Sequence, residues 1–224
     1  MTIADNIHQI LSRHKSSPFS LIAVSKNHPV SAILEAYQSG QRHFGENKVQ
    51  EMTEKQEKLP PDILWHMIGH LQSNKIKYIA PFVYMIHSVD SFKLLKLINK
   101  EALKNDRTIN CLLQIHIASE ETKHGMSWQE ARELLSSPEL SDLQNIRVKG
   151  LMAMATNTDD REQIRGEFRE VKQHFEQFKN EYNDLFNVDF QEISMGMSGD
   201  YPIALEEGGT LIRVGSSIFG SRNY

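Results

Sequence analysis

The chain has 224 residues, a formal net charge of −4, 39% hydrophobic and 24% charged residues, and one cysteine. That length suits one large core, and the mild acidity argues against a broad nucleic-acid-binding surface. A single cysteine excludes an intrachain disulfide framework, and no run approaches the roughly 18 apolar residues that a membrane helix needs.

The first segment, "MTIADNIHQILSRHK", mixes acidic and basic residues and has no long apolar core. It does not read as a secretory signal, and a cytoplasmic location is expected. Residues 3–14 have the pattern of a helix. From there, short apolar runs alternate with helical patterns. The predicted strands are residues 21–24, 43–45, 64–68, 85–88, 111–117, 147–152, 190–193 and 211–214. Most lack strict polar alternation, as expected of strands covered on both faces of a parallel sheet. Cys111 falls in one of them and reads as a small core residue.

Between the strands, "VSAILEAYQSG" closes on Gly40, a residue suited to a helix C-cap. "SFKLLKLINKEALK" carries Leu94, Leu95, Ile98 and Leu103 near helical spacing. "EFREVKQHFEQFKNEY" places Phe168, Val171, Phe175, Phe178 and Tyr182 at steps of three or four, a core-facing stripe. Eight β-then-α units predict an α/β protein: a single (β/α)8 TIM barrel domain over residues 1–224, with an extra N-terminal helix. An open, doubly wound sheet is the alternative. In a barrel, chemistry sits at the C-terminal strand ends and in the loops that follow them.

Those loops hold the candidate site residues. After the first strand, "SKNHP" presents Lys26. A lysine there is either a solvated charge or an amine placed for carbonyl chemistry. The second use requires a neutral amine, and hence a dry or cation-flanked setting that lowers the ordinary pKa of about 10.4. After the second strand, Asn47 in "FGENKVQE" is read first as a helix N-cap, and second as a polar group that bonds a ligand oxygen. In "WHMIGHLQSNKIK", His66 and His70 are four apart but straddle a glycine turn without an adjacent acidic ligand, so no metal site is expected. His66 is expected to pack or hydrogen-bond inside the barrel, and Lys75 and Lys77 read as surface charges.

Near the C-terminus, Ser194, Gly196, Ser198 and Gly199 form a small-residue loop that leads into a helix, and Gly215, Ser216 and Ser217 form another. The loops after strands seven and eight of a barrel are the usual phosphate site, and helix starts attract anions. Arg213 lies in the last strand and needs a partner if it is buried, either a core acid or a ligand group. A lysine opposite a phosphate cradle fits two ligand classes. One is a phosphosugar aldehyde or ketone, as in a Schiff-base aldolase; the other is pyridoxal 5'-phosphate.

The segments "AVSKNHP", "FGENKVQE", "WHMIGHLQSNK", "HSVDS", "KGLMAMA" and "SMGMSGDYPIALEEGGTLIRVGSSIFG" resemble the YggS/PROSC family of pyridoxal phosphate-binding proteins, in chain order. That family is similar in fold to the barrel domain of alanine racemase. The resemblance implies that Lys26 carries pyridoxal phosphate as an internal aldimine. Ser198, the backbone near Gly196 and Met197, Gly215 and Ser216 would hold the phosphate. Arg213 would face the pyridine nitrogen, Asn47 would lie near the ring, and His66 and Met152 would line the pocket. No catalytic residue and no metal are implied.

An arginine beside the ring nitrogen disfavours its protonation and weakens the ring as an electron sink. Because Tyr224 closely follows the eighth unit, the second domain that supplies an opposite-face tyrosine in alanine racemase is expected to be absent. The implied protein is a monomeric, non-catalytic pyridoxal phosphate homeostasis protein that delivers the cofactor to apo-enzymes, with no nucleic-acid or membrane partner. A pyridoxal phosphate-dependent amino-acid racemase is the alternative.

Overall fold

A computed structural model of the chain describes residues 2–13, 18–120 and 124–220. In chain order the elements are α1 (Ile3–Arg13), β1 (Ser20–Val24), α2 (Val30–Gln38), β2 (His43–Glu46), α3 (Val49–Gln56), β3 (Leu64–Met67), α4 (Ile76–Ile79), β4 (Met85–Val89), α5 (Phe92–Lys104), β5 (Ile109–Ile115), α6 (Trp128–Ser136), β6 (Ile146–Ala153), α7 (Arg161–Tyr182), β7 (Val188–Ser194), α8 (Tyr201–Glu206), β8 (Leu211–Val214) and α9 (Ser216–Phe219). The eight strands run parallel and close, β8 pairing back onto β1. The expected barrel is present, and closure removes the sheet edges that would otherwise need protection.

Alternation along each strand sorts its side chains into two populations. Outward positions such as Ala23, Phe44, Trp65, Leu113 and Ile212 merge with the apolar faces of the helices into one ring-shaped core. Within α7, Phe168, Val171, Phe175 and Phe178 are buried against that ring, as their spacing predicts. Inward positions form a second, smaller cluster of Ile22, Met85, Leu112, Met152 and Leu211. The rest of the barrel interior is polar: His66, His87, Ser194 and Arg213 are all buried.

Local chemistry explains the boundaries and two departures from expectation. Gly40 follows α2 with φ +101° and donates its N–H to the Tyr37 carbonyl, the left-handed ending that glycine allows. Gly150 bends β6 with φ +143°, where a Cβ would lie 1.9 Å from the Glu192 carbonyl oxygen. In α5 the inward place near the helix end belongs to Ala102, and Leu103 is 63% exposed. The cap expected of Asn47 is not made: α3 is preceded by Lys48, and no side chain caps it. The N-terminal helix is described over Ile3–Arg13, and His14 of the expected span lies outside the described residues. No helix among the described residues is long and apolar enough to cross a membrane.

Candidate functional site

Lys26 sits in a four-residue turn closed by the His28 N–H on the Ser25 carbonyl at 3.0 Å. Its third position, Asn27, has φ +63°, a conformation that asparagine tolerates better than most residues. A charged clamp fixes this turn from outside the barrel. The Lys55 amine of α3 donates to the Ser25 carbonyl, to Glu46 Oε1 and to Glu51 Oε1, each at 2.7 Å. Ser25 Oγ donates to Glu46 Oε1 at 2.6 Å, and the Asn27 N–H donates to Glu51 Oε1 at 2.6 Å. The residues flanking Lys26 are therefore held by the same three side chains. Burial pushes the Glu46 carboxyl above its ordinary pKa, and the attraction of Lys55 opposes the shift. Its second oxygen, Oε2, is buried without a hydrogen-bond partner among the described residues.

Across β8 from this turn, the loop after β7 folds tightly onto α8. Gly196 has φ +87°, and a Cβ there would meet Ala204 Cβ at 2.5 Å. Its carbonyl accepts the Arg213 N–H at 2.9 Å, and the Gly215 N–H reaches Ser198 Oγ at 3.2 Å. These two bonds join the loops after β7 and β8 into one wall.

A cleft of about 270 Å³ opens at this end of the barrel. It is lined by Val24, Lys26, Asn47, Ile68, Met154, Met197, Ser198, Gly199, Arg213, Gly215 and Ser216. A cleft of similar size beside α6 is lined by Asp90, Met126, Glu130 and Leu134 and offers no amine or guanidinium. Chemistry selects the first: an amine, a buried guanidinium, hydroxyls and apolar walls converge there.

Arg213 is only 4% exposed. Its Nη1 donates to Ser194 Oγ at 2.6 Å and its Nη2 to the Ala153 carbonyl at 3.0 Å. Both of these bonds run to neutral acceptors and not to the core acid that the sequence left open as a partner. Burial pushes its pKa down to about 10, with Asp200 opposing the shift, so the guanidinium stays charged at neutral pH. Asn47 Oδ1 is buried and lacks a partner among the described residues, which marks a place for a donor on a ligand.

A family model described as the N-terminal domain of alanine racemase matches residues 1–223. A pyridoxal phosphate homeostasis protein of Aquifex aeolicus is 38% identical over 205 residues, covering 91% of this chain and 87% of its own length. One of Haemophilus influenzae is 39% identical over 207 residues, covering 91% and 85%. The chain belongs to the YggS/PROSC family. Among solved structures, PipY of Synechococcus elongatus with PLP bound superposes on this family member with a TM-score of 0.87 at 38% identity, over 98% of this chain and all of PipY. Alanine racemase of Bartonella henselae, at 13% identity and a TM-score of 0.71, shares the fold with the YggS/PROSC barrel.

Six of the eight residues singled out in the sequence, Lys26, Asn47, Ser198, Arg213, Gly215 and Ser216, border this one cleft of the YggS/PROSC barrel. His66 and Met152 do not. Each points into the barrel two residues before a cleft-lining position, Ile68 and Met154 respectively. Two strand residues span roughly 6.6 Å, so both lie one layer too deep. Met152 packs with Ile22, Met85, Leu112 and Leu211, and His66 bonds two other histidines. His70 is half-exposed and lies 3.6 Å from Asp90. No cluster of metal-ligating side chains forms among the described residues.

Proposed function

We propose that this YggS/PROSC chain binds pyridoxal 5'-phosphate, holds it covalently and reversibly on Lys26, and releases it to apo-enzymes without running a catalytic cycle. One observation carries the reading: a clamped lysine shares a cleft with a polar wall at strands seven and eight and with a buried guanidinium. The relatives named pyridoxal phosphate homeostasis proteins and the PLP-bound PipY structure support it.

When bound, pyridoxal phosphate supplies an aldehyde carbon for an amine and an electron-withdrawing pyridine ring. The residues of the chain divide the binding. Lys26 Nζ supplies the amine, and the clamp on Ser25 and Asn27 restricts where that amine can go. Ser198, Gly215 and Ser216 would hold the phosphate. The Arg213 guanidinium, which only donates, would face the ring nitrogen and leave it unprotonated. Asn47 Oδ1 would accept from the ring hydroxyl and so gain the partner it lacks. Val24, Ile68 and Met154, the apolar lining of the cleft, would keep water from the ring.

Racemisation needs proton-transferring groups on both faces of the ring. Among the described residues that line the cleft, Lys26 and Arg213 alone are titratable, and Arg213 keeps its proton. A carrier working as a cytoplasmic monomer is the function that this set of groups serves best.

The test is spectroscopic and chemical. Protein mixed with pyridoxal phosphate should become yellow, and borohydride should fix a cofactor-sized mass on the peptide containing Lys26. Lys26→Ala should lose both signals; an unchanged spectrum in that variant refutes the assignment. Rapid α-proton exchange of an amino acid in deuterated water establishes the racemase instead. A colourless protein that traps a sugar phosphate on reduction establishes an aldolase.

A further inference from the structure

Below the cleft, a row of polar side chains crosses the barrel. Arg213 Nη1 donates to Ser194 Oγ at 2.6 Å, and Ser194 Oγ lies 2.9 Å from His87 Nδ1. His87 Nε2 lies 2.8 Å from His66 Nδ1, and His66 Nε2 lies 2.9 Å from His43 Nδ1. His43 opens β2 and is only half-buried, so the row runs from the ligand cleft to the opposite mouth. It draws on β8, β7, β4, β3 and β2.

The donor at one end fixes the order of the whole row. A guanidinium cannot accept, so Ser194 Oγ accepts from Arg213. Ser194 has one proton to give, and the ring nitrogen facing it is His87 Nδ1. If that nitrogen accepts, His87 carries its proton on Nε2 and donates to His66 Nδ1. His66 then donates from Nε2 to His43 Nδ1. Every hydrogen bond is satisfied once, and three neutral imidazoles align their acceptor nitrogens toward the guanidinium. The reverse order leaves the Ser194 proton without a partner in a fully buried place.

We propose that Ser194, His87, His66 and His43 form a one-way hydrogen-bond relay that positions Arg213 from the barrel side. The aligned imidazole dipoles add to the attraction of Asp200, and Arg213, a lining residue of the cleft, keeps its donors at that end. The groups that face the relay are Tyr84, whose ring meets the edges of His43 and His66, and Arg213 itself. Burial pushes His66 and His87 well below their ordinary pKa, and the neighbouring histidines and, at His87, Arg213 add to the effect, so both rings are neutral. Burial lowers His43 as well. The positioning role rests on reading the cleft as a pyridoxal phosphate site; the proton order does not.

Two measurements test the proposal separately. Nitrogen-15 spectra of histidine-labelled, ligand-free protein at pH 7 should show His43, His66 and His87 neutral, with the proton on Nε2. Nδ1–H forms at His66 and His87, or cationic rings, overturn the relay. In pyridoxal phosphate-loaded protein, Ser194→Ala should shift the chromophore's absorbance maximum and weaken binding about tenfold, while Ser194→Thr, which keeps the hydroxyl, should behave as the unmodified chain. An unshifted band in Ser194→Ala, or a threonine variant no better than alanine, overturns the positioning role. A colourless unmodified protein with three Nε2–H rings overturns only the reading of the cleft.

Discussion

Replacing Lys55 with methionine would remove the amine that neutralises Glu46 and leave a carboxylate with no access to solvent. Ser25 Oγ would be its one remaining donor, because Oε2 has no partner among the described residues. Breaking a buried pair in this way costs about 3–5 kcal/mol. The carboxyl can escape by taking up a proton. Doing so costs about 1.4 kcal/mol per pH unit above its free pKa near 4.3, or about 3.7 kcal/mol at pH 7 and about 1 kcal/mol at pH 5.

The destabilisation of Lys55→Met should therefore be near 3.5 kcal/mol at pH 7 and shrink to about 1 kcal/mol at pH 5. The sign follows from the raised folded-state pKa. The folded variant binds a proton that the unfolded chain does not, so its relative stability falls as pH rises. Urea unfolding at the two pH values measures the gap. A Glu46→Gln/Lys55→Met double variant, with no charge left to bury, should lose most of the pH dependence. A Lys55→Met gap below 1 kcal/mol at pH 7, or one that widens on acidification, would falsify the account of the clamp.

Acid should weaken the unmodified protein through its two fully buried imidazoles. His66 and His87 stay neutral when folded and protonate when unfolded, so stability rises with pH through the free value near 6.5 and falls below it by about 1.4 kcal/mol per ring per pH unit. Denaturant unfolding at pH 5.5 and 7.5 should differ by roughly 2–3 kcal/mol, trimmed by the opposite contribution of Glu46; equal values refute it. Gly150→Ala should cost about 3 kcal/mol or more, because its Cβ would overlap the Glu192 carbonyl at a positive φ. Gly166→Ala, in open space within α7, should instead stabilise by about 0.5–1 kcal/mol in the same melting assay. The Cys111 thiol, buried and with its pKa pushed far up by that burial, should ignore a thiol reagent in native protein and react once per chain in urea.

The strands were legible because each is a short apolar run, and their order around the barrel follows from eight repeats of one unit. The cleft was legible where its residues lie at loop starts, as with Lys26, or in glycine- and serine-rich turns, as with Ser198 and Gly215. Depth was not legible. Ile68 and Met154 share a face with His66 and Met152, and alternation alone cannot say which layer meets the opening. The relay was hidden for a different reason. His66 bonds partners 23 and 21 residues away, and His87 reaches a serine 107 residues downstream, so only barrel closure brings them together. Lys55 and Glu51 show helical i,i+4 spacing, but their shared grip on Ser25 and Asn27 crosses from one unit to the previous one.

The junction of β7 with β8 has a consequence for how the barrel completes itself. β5 and β6 share seven ladder positions, whereas β7 and β8 share one, Ser194 opposite Leu211. Beyond it the ligand loop itself acts as the stave, through Gly196 to Arg213 and Ser198 to Gly215. Lys26 stands on the far side of β8, in the turn that follows the first strand of the barrel. A molecule that spans Lys26 and Ser198 therefore bridges the first unit of the barrel and its last units across the thinnest seam. Binding energy enters the folding equilibrium at that seam, so the amide protons of residues 194–215 should gain the most protection from exchange on loading. A growing chain has no such seam to offer until its last strand is in place.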